Sequence, residues 1–252
     1  MTYNWKKATI IVLDILMGVY LVLAVTAFNK PDESAQVCKE LHITIQKEVV
    51  EGFLTTDKVK QMLHKHHVYP VSQPMDQVNV RLIEETLQSS QLIDHAECYK
   101  TQTGRVCIEI RQRIPIVRVM AQNGDDYFVD SRGEVMPRNG YSCNTLVATG
   151  SITKAYARKH LASLARTIVA NEFWKNQIVQ INVLHDGSVE LVPRVGEHVA
   201  YLGQPVGVER KLDRLFKFYR YGLSQAGWNH YSRVSVEFDN QIVCKRRPKG
   251  KS

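Results

Sequence analysis

Cysteine thiols are the most reactive side chains of this 252-residue chain, which contains five of them. They are scattered and lack CxxC spacing, which is not the pattern of a metal or redox site: Cys38, Cys98, Cys107, Cys143 and Cys244. Cys98 and Cys107 flank Thr101-Gln102-Thr103-Gly104, and a four-residue turn there would place them opposite each other on paired strands. We expect two reduced, buried thiols, with a disulfide as the alternative if the compartment is oxidising.

Histidines give the next candidate site, because His64, His66 and His67 lie close together. Two histidines three residues apart on a helix could share a metal ion. No cysteine or carboxylate stands at ligand spacing beside them, which favours a solvated helix end. The chain also lacks the GxGxxG, Walker, HExxH and GxSxG motifs. We therefore predict a non-enzymatic protein with no catalytic residue, no metal site and no cofactor.

Positive charge is concentrated at the C-terminus, where residues 245–251 carry five Lys or Arg side chains in a chain of net charge +8. In a cytosolic protein such a tail would indicate nucleic acid binding. The topology predicted below excludes nucleic acid as a partner, leaving a solubilising tail or contact with acidic headgroups or envelope polyanions. The overall composition, 44% hydrophobic and 23% charged, is that of a globular protein.

One stretch is long and apolar enough to span a bilayer. Residues 8–28 contain a single charged side chain, Asp14, and a helix of about 20 residues crosses a hydrocarbon core. Lys6 and Lys7 precede the stretch, so the positive-inside rule places residues 1–7 in the cytoplasm and the rest outside. A cleaved signal peptide ending at Val25-Thr26-Ala27 is the alternative, but the apolar run is longer than a signal sequence requires.

Asp14 would be costly inside a membrane, by about 2.5–3.5 kcal/mol at the centre of a helix. Two interpretations stay open. The carboxyl group could contact another transmembrane helix. Alternatively, it is shallow enough to reach the cytoplasmic headgroups.

After a polar linker at residues 29–36, residues 37–113 have the pattern of a β-α-α-β-β module. Leu41, Ile43 and Ile45 alternate with polar residues, as in a half-buried strand. Thr55 and Asn79 are placed to cap two short helices, the first facing inward through Val59, Met62 and Leu63 and the second through Leu82, Ile83 and Leu87. A hairpin of residues 93–99 and 105–113 follows, and Pro115 marks the end of the module.

The rest of the chain has a different pattern of elements, with strands and two longer helices. A short strand at residues 127–129 precedes helices at about 153–171 and 208–222. Between these helices, residues 179–184 and 188–192 form a hairpin on Asp186-Gly187, a strong turn signal. A final hairpin is predicted from residues 231–238 and 241–244. The fold class is thus α+β: a transmembrane helix, a β-α-α-β-β domain, and a mixed β domain with two helices at 114–245, followed by the basic tail 246–252.

The order of these elements resembles the bacterial cell-division family FtsQ/DivIB, which combines a single anchor helix, a POTRA domain and a β domain. Gly52-Phe53-Leu54-Thr55 resembles the start of the first POTRA helix, and residues 108–118 resemble the family's stretch between domains. Phe128-Val129-Asp130-Ser131-Arg132-Gly133 resembles its V-D-x-x-G element. Lys211-Leu212, Leu215, Trp228 and Tyr231–Phe238 resemble its closing helix and strand. The turn of the POTRA hairpin lacks the common Trp-Pro, and Phe238 stands where many members have Tyr.

The resemblance implies an inner-membrane scaffold for septal wall synthesis, with most of the chain periplasmic. It implies docking of FtsB/FtsL-type coiled-coil membrane proteins, besides other divisome proteins. Independently of the family, a last hairpin that ends a sheet offers unpaired backbone groups to an incoming strand. The predicted partner-binding residues are Tyr231, Phe238, Asn240, Gln241, Val243, Lys245 and Arg246. If a loop covered this strand, the same side chains would be ordinary core.

Two other functions compete with the scaffold. One is a POTRA-bearing envelope adaptor of another assembly or secretion machine, which a downstream barrel would favour. The other is a membrane-tethered cell-wall hydrolase, which would need a nucleophile or metal cluster. Neither feature is found in the sequence.

Overall fold

A computed structural model describes residues 5–28, 36–46, 54–138 and 143–248. Most of the predicted linker, the Gly52-Phe53 dipeptide, residues 1–4 and tail residues 249–252 lie outside the described residues. The described elements fall into two compact units, one built mainly from elements up to residue 110 and the other mainly from residues after 110.

The first helix, α1, runs from Trp5 to Phe28 and contains the predicted apolar stretch. Its described side chains from Ile10 to Leu23 are largely exposed. No helix among the described residues combines the length and hydropathy expected of a membrane-crossing segment.

The predicted β-α-α-β-β order is confirmed. Strand β1 (Glu40–Gln46) is followed by helices α2 (Thr56–Lys65) and α3 (Val80–Gln88) and by strands β2 (Ile93–Lys100) and β3 (Arg105–Gln112). The sheet order is β1-β3-β2. The Leu82 N–H donates to Asn79 Oδ1 over 3.0 Å, so Asn79 caps α3 as predicted.

Helix α3 presents a narrower apolar face than the sequence predicts. Ile83 and Leu87 are buried, but the Leu82 side chain is 46% exposed. The prediction that Leu82 faces inward is therefore wrong. Residues 83 and 87 are one turn apart and share a face, whereas a helix rotates residue 82 by about 100° from residue 83.

The second unit contains a nine-stranded mixed sheet of order β12-β11-β10-β9-β8-β7-β4-β5-β6. Its first four strands are β4 (Pro115–Ala121), β5 (Asp126–Asp130), β6 (Val135–Pro137) and β7 (Leu146–Gly150). Then come β8 (Ile178–Val183), β9 (Val189–Pro193), β10 (Val199–Gly203), β11 (Tyr231–Ser235) and β12 (Val243–Arg246). The pairs β4–β7, β7–β8 and β10–β11 are parallel, and the other neighbours are antiparallel.

Helical segments of this unit pack their apolar side chains against the sheet. Helix α4 (Lys154–Tyr156), a π-helical segment (Ala157–Leu161) and α5 (Ala162–Ala170) form one continuous stretch, followed by α6 (Glu172–Gln177). Helix α7 (Val208–Phe218) continues through a second π-helical segment (Tyr219–Leu223) into α8 (Ser224–Ala226). Both predicted long helices are confirmed. Their buried residues join those of the strands in one core, including Val119, Ile181, Leu191, Val234, Leu164, Ile168, Leu212 and Leu215.

Four strands of this sheet were not predicted: β4, β6, β7 and β10. Pro115, which marks the end of the β-α-α-β-β module, is the first residue of β4, a position that proline tolerates because it needs no N–H donor there. The final hairpin was predicted with the wrong bounds. Strand β11 ends at Ser235 rather than Phe238, and β12 begins at Val243 and runs to Arg246.

Candidate functional site

Strand β12 lies at one end of the nine-stranded sheet and pairs only with β11 among the described strands. In the antiparallel register Ser235 is opposite Val243, and Arg233 is opposite Lys245. A strand in this position exposes one row of backbone N–H and C=O groups.

The direction of individual N–H groups follows from one hydrogen bond. Arg247 donates its backbone N–H to the His230 carbonyl over 3.1 Å, so this N–H points toward the β11 side. Because directions alternate along an antiparallel strand, Cys244 and Arg246 direct their backbone groups away from β11. These are the groups that an added strand would meet.

Six of the seven predicted partner-binding residues have exposed side chains. Phe238 is 54% exposed and Val243 is 53% exposed, so both apolar side chains are accessible to a partner. Asn240, Gln241, Lys245 and Arg246 are exposed too. The structure therefore brings these six together at the β11–β12 turn and on β12, and they are not core residues.

Tyr231 differs from the other six because it is half-buried and packs on the core. Its ring lies 6.2 Å from that of Phe218 and 4.9 Å from that of His230. Tyr231 therefore stabilises β11 against the core and is only partly accessible at the exposed edge.

The turn that presents Phe238 is held by Arg214, a residue that the sequence reasoning missed. Its Nη1 pairs with Asp239 Oδ1 at 3.1 Å, and its Nη2 donates to the Val236 carbonyl at 3.1 Å. Asn240 has a positive φ of 64°, which asparagine tolerates better than most residues. One guanidinium thus fixes both sides of the residue pair Glu237-Phe238.

Lys211 supports the same region from α7. Its Nζ donates to the Leu202 carbonyl at 2.9 Å and to the Gln204 carbonyl at 2.8 Å. Burial lowers the pKa of this ammonium group, and the charge of Glu237 acts in the opposite direction. The end of β10 and the residue that follows it are thereby fixed to α7. Lys211 belongs to the stretch that resembles the family's closing helix, but its two carbonyl partners could not be predicted from the sequence.

Positive charge dominates the exposed edge. Lys245 and Arg246 form no ion pair with any described residue, whereas Arg247 pairs with Glu197. On the neighbouring strand the Arg233 guanidinium lies 4.1 Å from the centre of the Tyr201 ring and 3.5 Å from Glu190 Oε1. Lys245 and Arg246, which have no ion-pair partner among the described residues, are therefore available to an acidic segment at β12.

A buried polar pair includes His198, which directly precedes β10. His198 Nε2 is 2.7 Å from Tyr219 Oη, and His198 is only 2% exposed. Burial lowers the pKa of His198, opposed in part by the Trp228 backbone carbonyl. Burial also raises the pKa of Tyr219. Both groups are therefore neutral at physiological pH.

The cysteines do not form the opposed pair that the sequence predicts. All five are free thiols. Thr101 donates its N–H to the Arg105 carbonyl over 2.9 Å, so Thr101 and Arg105 are opposite each other and three residues form the loop between them. In this register Tyr99 lies opposite Cys107. Cys107 is half-buried rather than buried as predicted, whereas Cys98 lies on the buried face. Burial, followed by the charge of Glu84, raises its pKa to about 12, so its thiol is unreactive.

The histidine cluster lies at the exposed end of α2. His64 stacks on Tyr69 with ring centres 3.9 Å apart. Within the described parts of the chain, no three His, Cys, Asp or Glu side chains are placed to hold a metal ion.

Comparison with protein families then identifies the second unit. The family model described as FtsQ/DivIB, C-terminal related, matches residues 114–245, which is more than half of the chain. The chain belongs to the FtsQ/DivIB family. A second model, the POTRA-like domain, matches residues 36–111. Among curated proteins the comparison finds no match.

The family assignment gives a coarse function. Domains of the FtsQ/DivIB type, here combined with a POTRA-like domain, indicate a cell-division scaffold with partners in the divisome. Proteins of this family are generally non-enzymatic and membrane-associated.

The V-D-x-x-G element of this FtsQ/DivIB chain has a clear physical basis. Asp130 ends β5 and Gly133 closes the turn that follows, its N–H donating to the Asp130 carbonyl over 3.1 Å. Gly133 has φ of 89°, and a Cβ atom at this position would lie 2.7 Å from the Arg158 carbonyl oxygen. Only glycine satisfies both conditions.

Proposed function

We propose that this protein is a membrane-anchored divisome scaffold that docks an FtsB/FtsL-type bitopic partner at β12 and so supports septal peptidoglycan synthesis. The observation that carries the proposal is the outward direction of the Cys244 and Arg246 backbone groups on an edge strand that begins with exposed Val243 and follows exposed Phe238. In β-augmentation, main-chain hydrogen bonds supply affinity and the flanking side chains supply selectivity.

The chemistry of the edge specifies the partner segment. The partner segment is extended over at least four residues, because β12 contains four residues. It carries an acidic residue for Lys245 or Arg246 and an apolar residue for Phe238. A coiled-coil protein that ends in such a segment meets these requirements.

Membrane anchoring is the second part of the proposal. It is supported by exposed apolar side chains from Ile10 to Leu23 on α1 and by Lys6 and Lys7 at its start. The N-terminus is then cytoplasmic, the protein is single-pass in the inner membrane, and residues after 28 are periplasmic. Asp14 contacts a transmembrane helix of a partner, which offsets the cost of its burial.

The proposed domain division follows from the same assignment. Residues 1–7 are cytoplasmic, 8–28 cross the membrane and 29–36 form a linker. Residues 37–113 are the POTRA-like domain, 114–245 the β domain and 246–252 the basic tail.

The test is partner capture by full-length protein purified in detergent. Phe238→Ala and Lys245→Glu should each weaken co-purification of the FtsB/FtsL-type pair by about tenfold or more, because each removes a central contact of the interface. Thermal melting should be unchanged, because both side chains are exposed.

Two control variants match these changes in type. Tyr221→Ala removes an exposed aromatic ring and Lys159→Glu reverses an exposed charge, both away from β12 in sequence. Full capture by Phe238→Ala and Lys245→Glu with normal melting would remove these residues from the site. Loss of capture by the controls as well would show that the assay does not report on β12.

A further inference from the structure

A second recessed surface of the β domain lies between the α5–α6 turn and α7, far in sequence from β12. We call it the α6–α7 groove and define it by Phe173, Trp174, Leu212, Phe216, Glu209 and Asp213. Its cavity has a volume of about 500 Å³, within the size range of ligand-binding pockets. The proposed function does not use it.

Aromatic rings form the floor and one wall of the groove. Phe173 lies edge-to-face with Trp174 at 4.8 Å and with Phe216 at 4.9 Å. Trp174 is 3% exposed, whereas Phe173 is 39% exposed. The Asn171 side chain caps α6 by accepting the Trp174 N–H at 3.2 Å, which stabilises the first turn of the helix that carries Phe173 and Trp174. The groove is thus a preformed apolar recess.

Two carboxylates on α7, which we call the rim, line the groove as well. Glu209 and Asp213 are four residues apart on α7 and therefore lie on one face of the helix. Asp213 pairs with Lys217 at 2.7 Å, but both side chains are more than 60% exposed, so the pair contributes little and can exchange. Glu209 forms no ion pair with any described residue.

The charge of the rim specifies the occupant. The chain as a whole is basic, and the β12 edge presents Lys245 and Arg246. The α6–α7 groove presents the opposite sign beside aromatic faces, which attract cations as well. It therefore selects a ligand unlike the acidic segment proposed for β12.

We propose that the α6–α7 groove binds a basic peptide segment of a partner protein. One apolar side chain of the segment enters the recess against Phe173 and Phe216. Flanking Lys or Arg side chains contact Glu209 and Asp213. The β domain then offers two docking surfaces of opposite charge.

The experiment pans a random twelve-residue peptide library displayed on phage against the full-length chain in detergent. Selected peptides are resynthesised with a fluorescent label, and their affinities are measured by anisotropy. We expect enriched sequences with an apolar residue flanked by Lys or Arg. The Phe173→Ala variant should bind them about tenfold more weakly or worse, and Glu209→Gln/Asp213→Asn about fivefold more weakly.

Matched variants separate this site from charge effects and from β12. Glu134→Gln removes an exposed carboxylate of the same domain outside the groove and should bind the peptides normally. The Lys245→Glu variant should also bind the peptides normally, so this proposal is tested independently of the proposal for β12. Melting curves of all variants verify the fold.

Three outcomes would overturn the proposal. One is a selection that yields no binding peptide, and another is a set without basic residues. The third is equal affinity of the selected peptides for wild type and for the folded Phe173→Ala and Glu209→Gln/Asp213→Asn variants.

Discussion

A single carboxylate, Asp130, satisfies three donors at the end of β5. Its Oδ1 accepts the N–H groups of Arg132 at 2.9 Å and Glu134 at 2.8 Å, and its Oδ2 pairs with Arg113 Nη1 at 2.8 Å. The side chains of Asp130 and Arg113 are only 6% and 15% exposed. Removing one partner of such a pair leaves the other charge buried without compensation.

We expect Asp130→Ala to destabilise the β domain by about 3–5 kcal/mol, because Arg113 and two N–H groups lose their acceptor. Asp130→Asn should cost less, since an amide oxygen can still accept from both N–H groups. Chemical denaturation of the two variants measures the difference. If both variants were as stable as wild type, the buried pair would not contribute to stability.

His198 is a single residue that makes the stability of the folded chain depend on pH. Burial lowers its pKa in the folded state, so the unfolded chain binds more protons once the pH falls below the ordinary histidine value of about 6.5. Its contribution to stability is present above that pH and is lost as the pH falls toward the lowered value.

We expect the melting temperature of wild type to decrease between about pH 7.5 and pH 5.5 more than that of His198→Gln. Glutamine keeps a partner for the Tyr219 hydroxyl but does not titrate. Differential scanning calorimetry at several pH values measures the two slopes. Equal slopes would mean that His198 is not the group that titrates.

Local signals in the sequence predicted much of this residue-level detail. Nearby residues determine the cap at Asn79, the turn at Asp186-Gly187 and the exposure of the histidines at the end of α2. Arg214 could not be predicted, because its partners Val236 and Asp239 are more than 20 residues away. The cysteine register was wrong because a three-residue and a four-residue turn place different residues opposite each other.

At the scale of elements, the edge position of β12 followed from the predicted final hairpin, but the sheet around it did not. Strand β10 pairs in parallel with β11 across helix α7, and β4 pairs in parallel with β7. Such pairings join distant segments, and short strands such as β6 have too few residues to show a period. The sequence thus predicted where the sheet ends better than how its strands are ordered.

Backbone direction on β12 can be tested with proline. Arg246→Pro removes an N–H that points away from β11, so the fold should persist, because proline is tolerated on edge strands. Partner capture should fall well below that of Arg246→Ala, which removes only the charge. Co-purification of the FtsB/FtsL-type pair measures both effects.

Arg247→Pro is the complementary control for this experiment. It removes the N–H that donates to His230 and should lower the melting temperature. If Arg246→Pro captured the partner as well as Arg246→Ala does, main-chain pairing at β12 would be excluded, and side chains alone would account for binding.

At the scale of the whole molecule, the proposed scaffold requires its binding domains to be held at the membrane. Anchoring confines partners to two dimensions, so two docking surfaces of moderate affinity can act together through effective concentration. Apolar side chains are exposed along the described part of α1, and a hydrocarbon environment would remove them from water.

Two arginines in α1 test this requirement. We expect Leu16→Arg/Val19→Arg to release the protein from membranes, because each arginine near a helix centre costs about 2.5–3.5 kcal/mol in insertion. Leu16→Ala/Val19→Ala adds no charge to the helix, so this variant should stay in the membrane. Alkaline extraction followed by flotation on a density gradient separates inserted protein from aggregates. If the arginine variant floats with the lipid as wild type does, α1 is not the anchor, and confinement to the membrane must come from a bound partner.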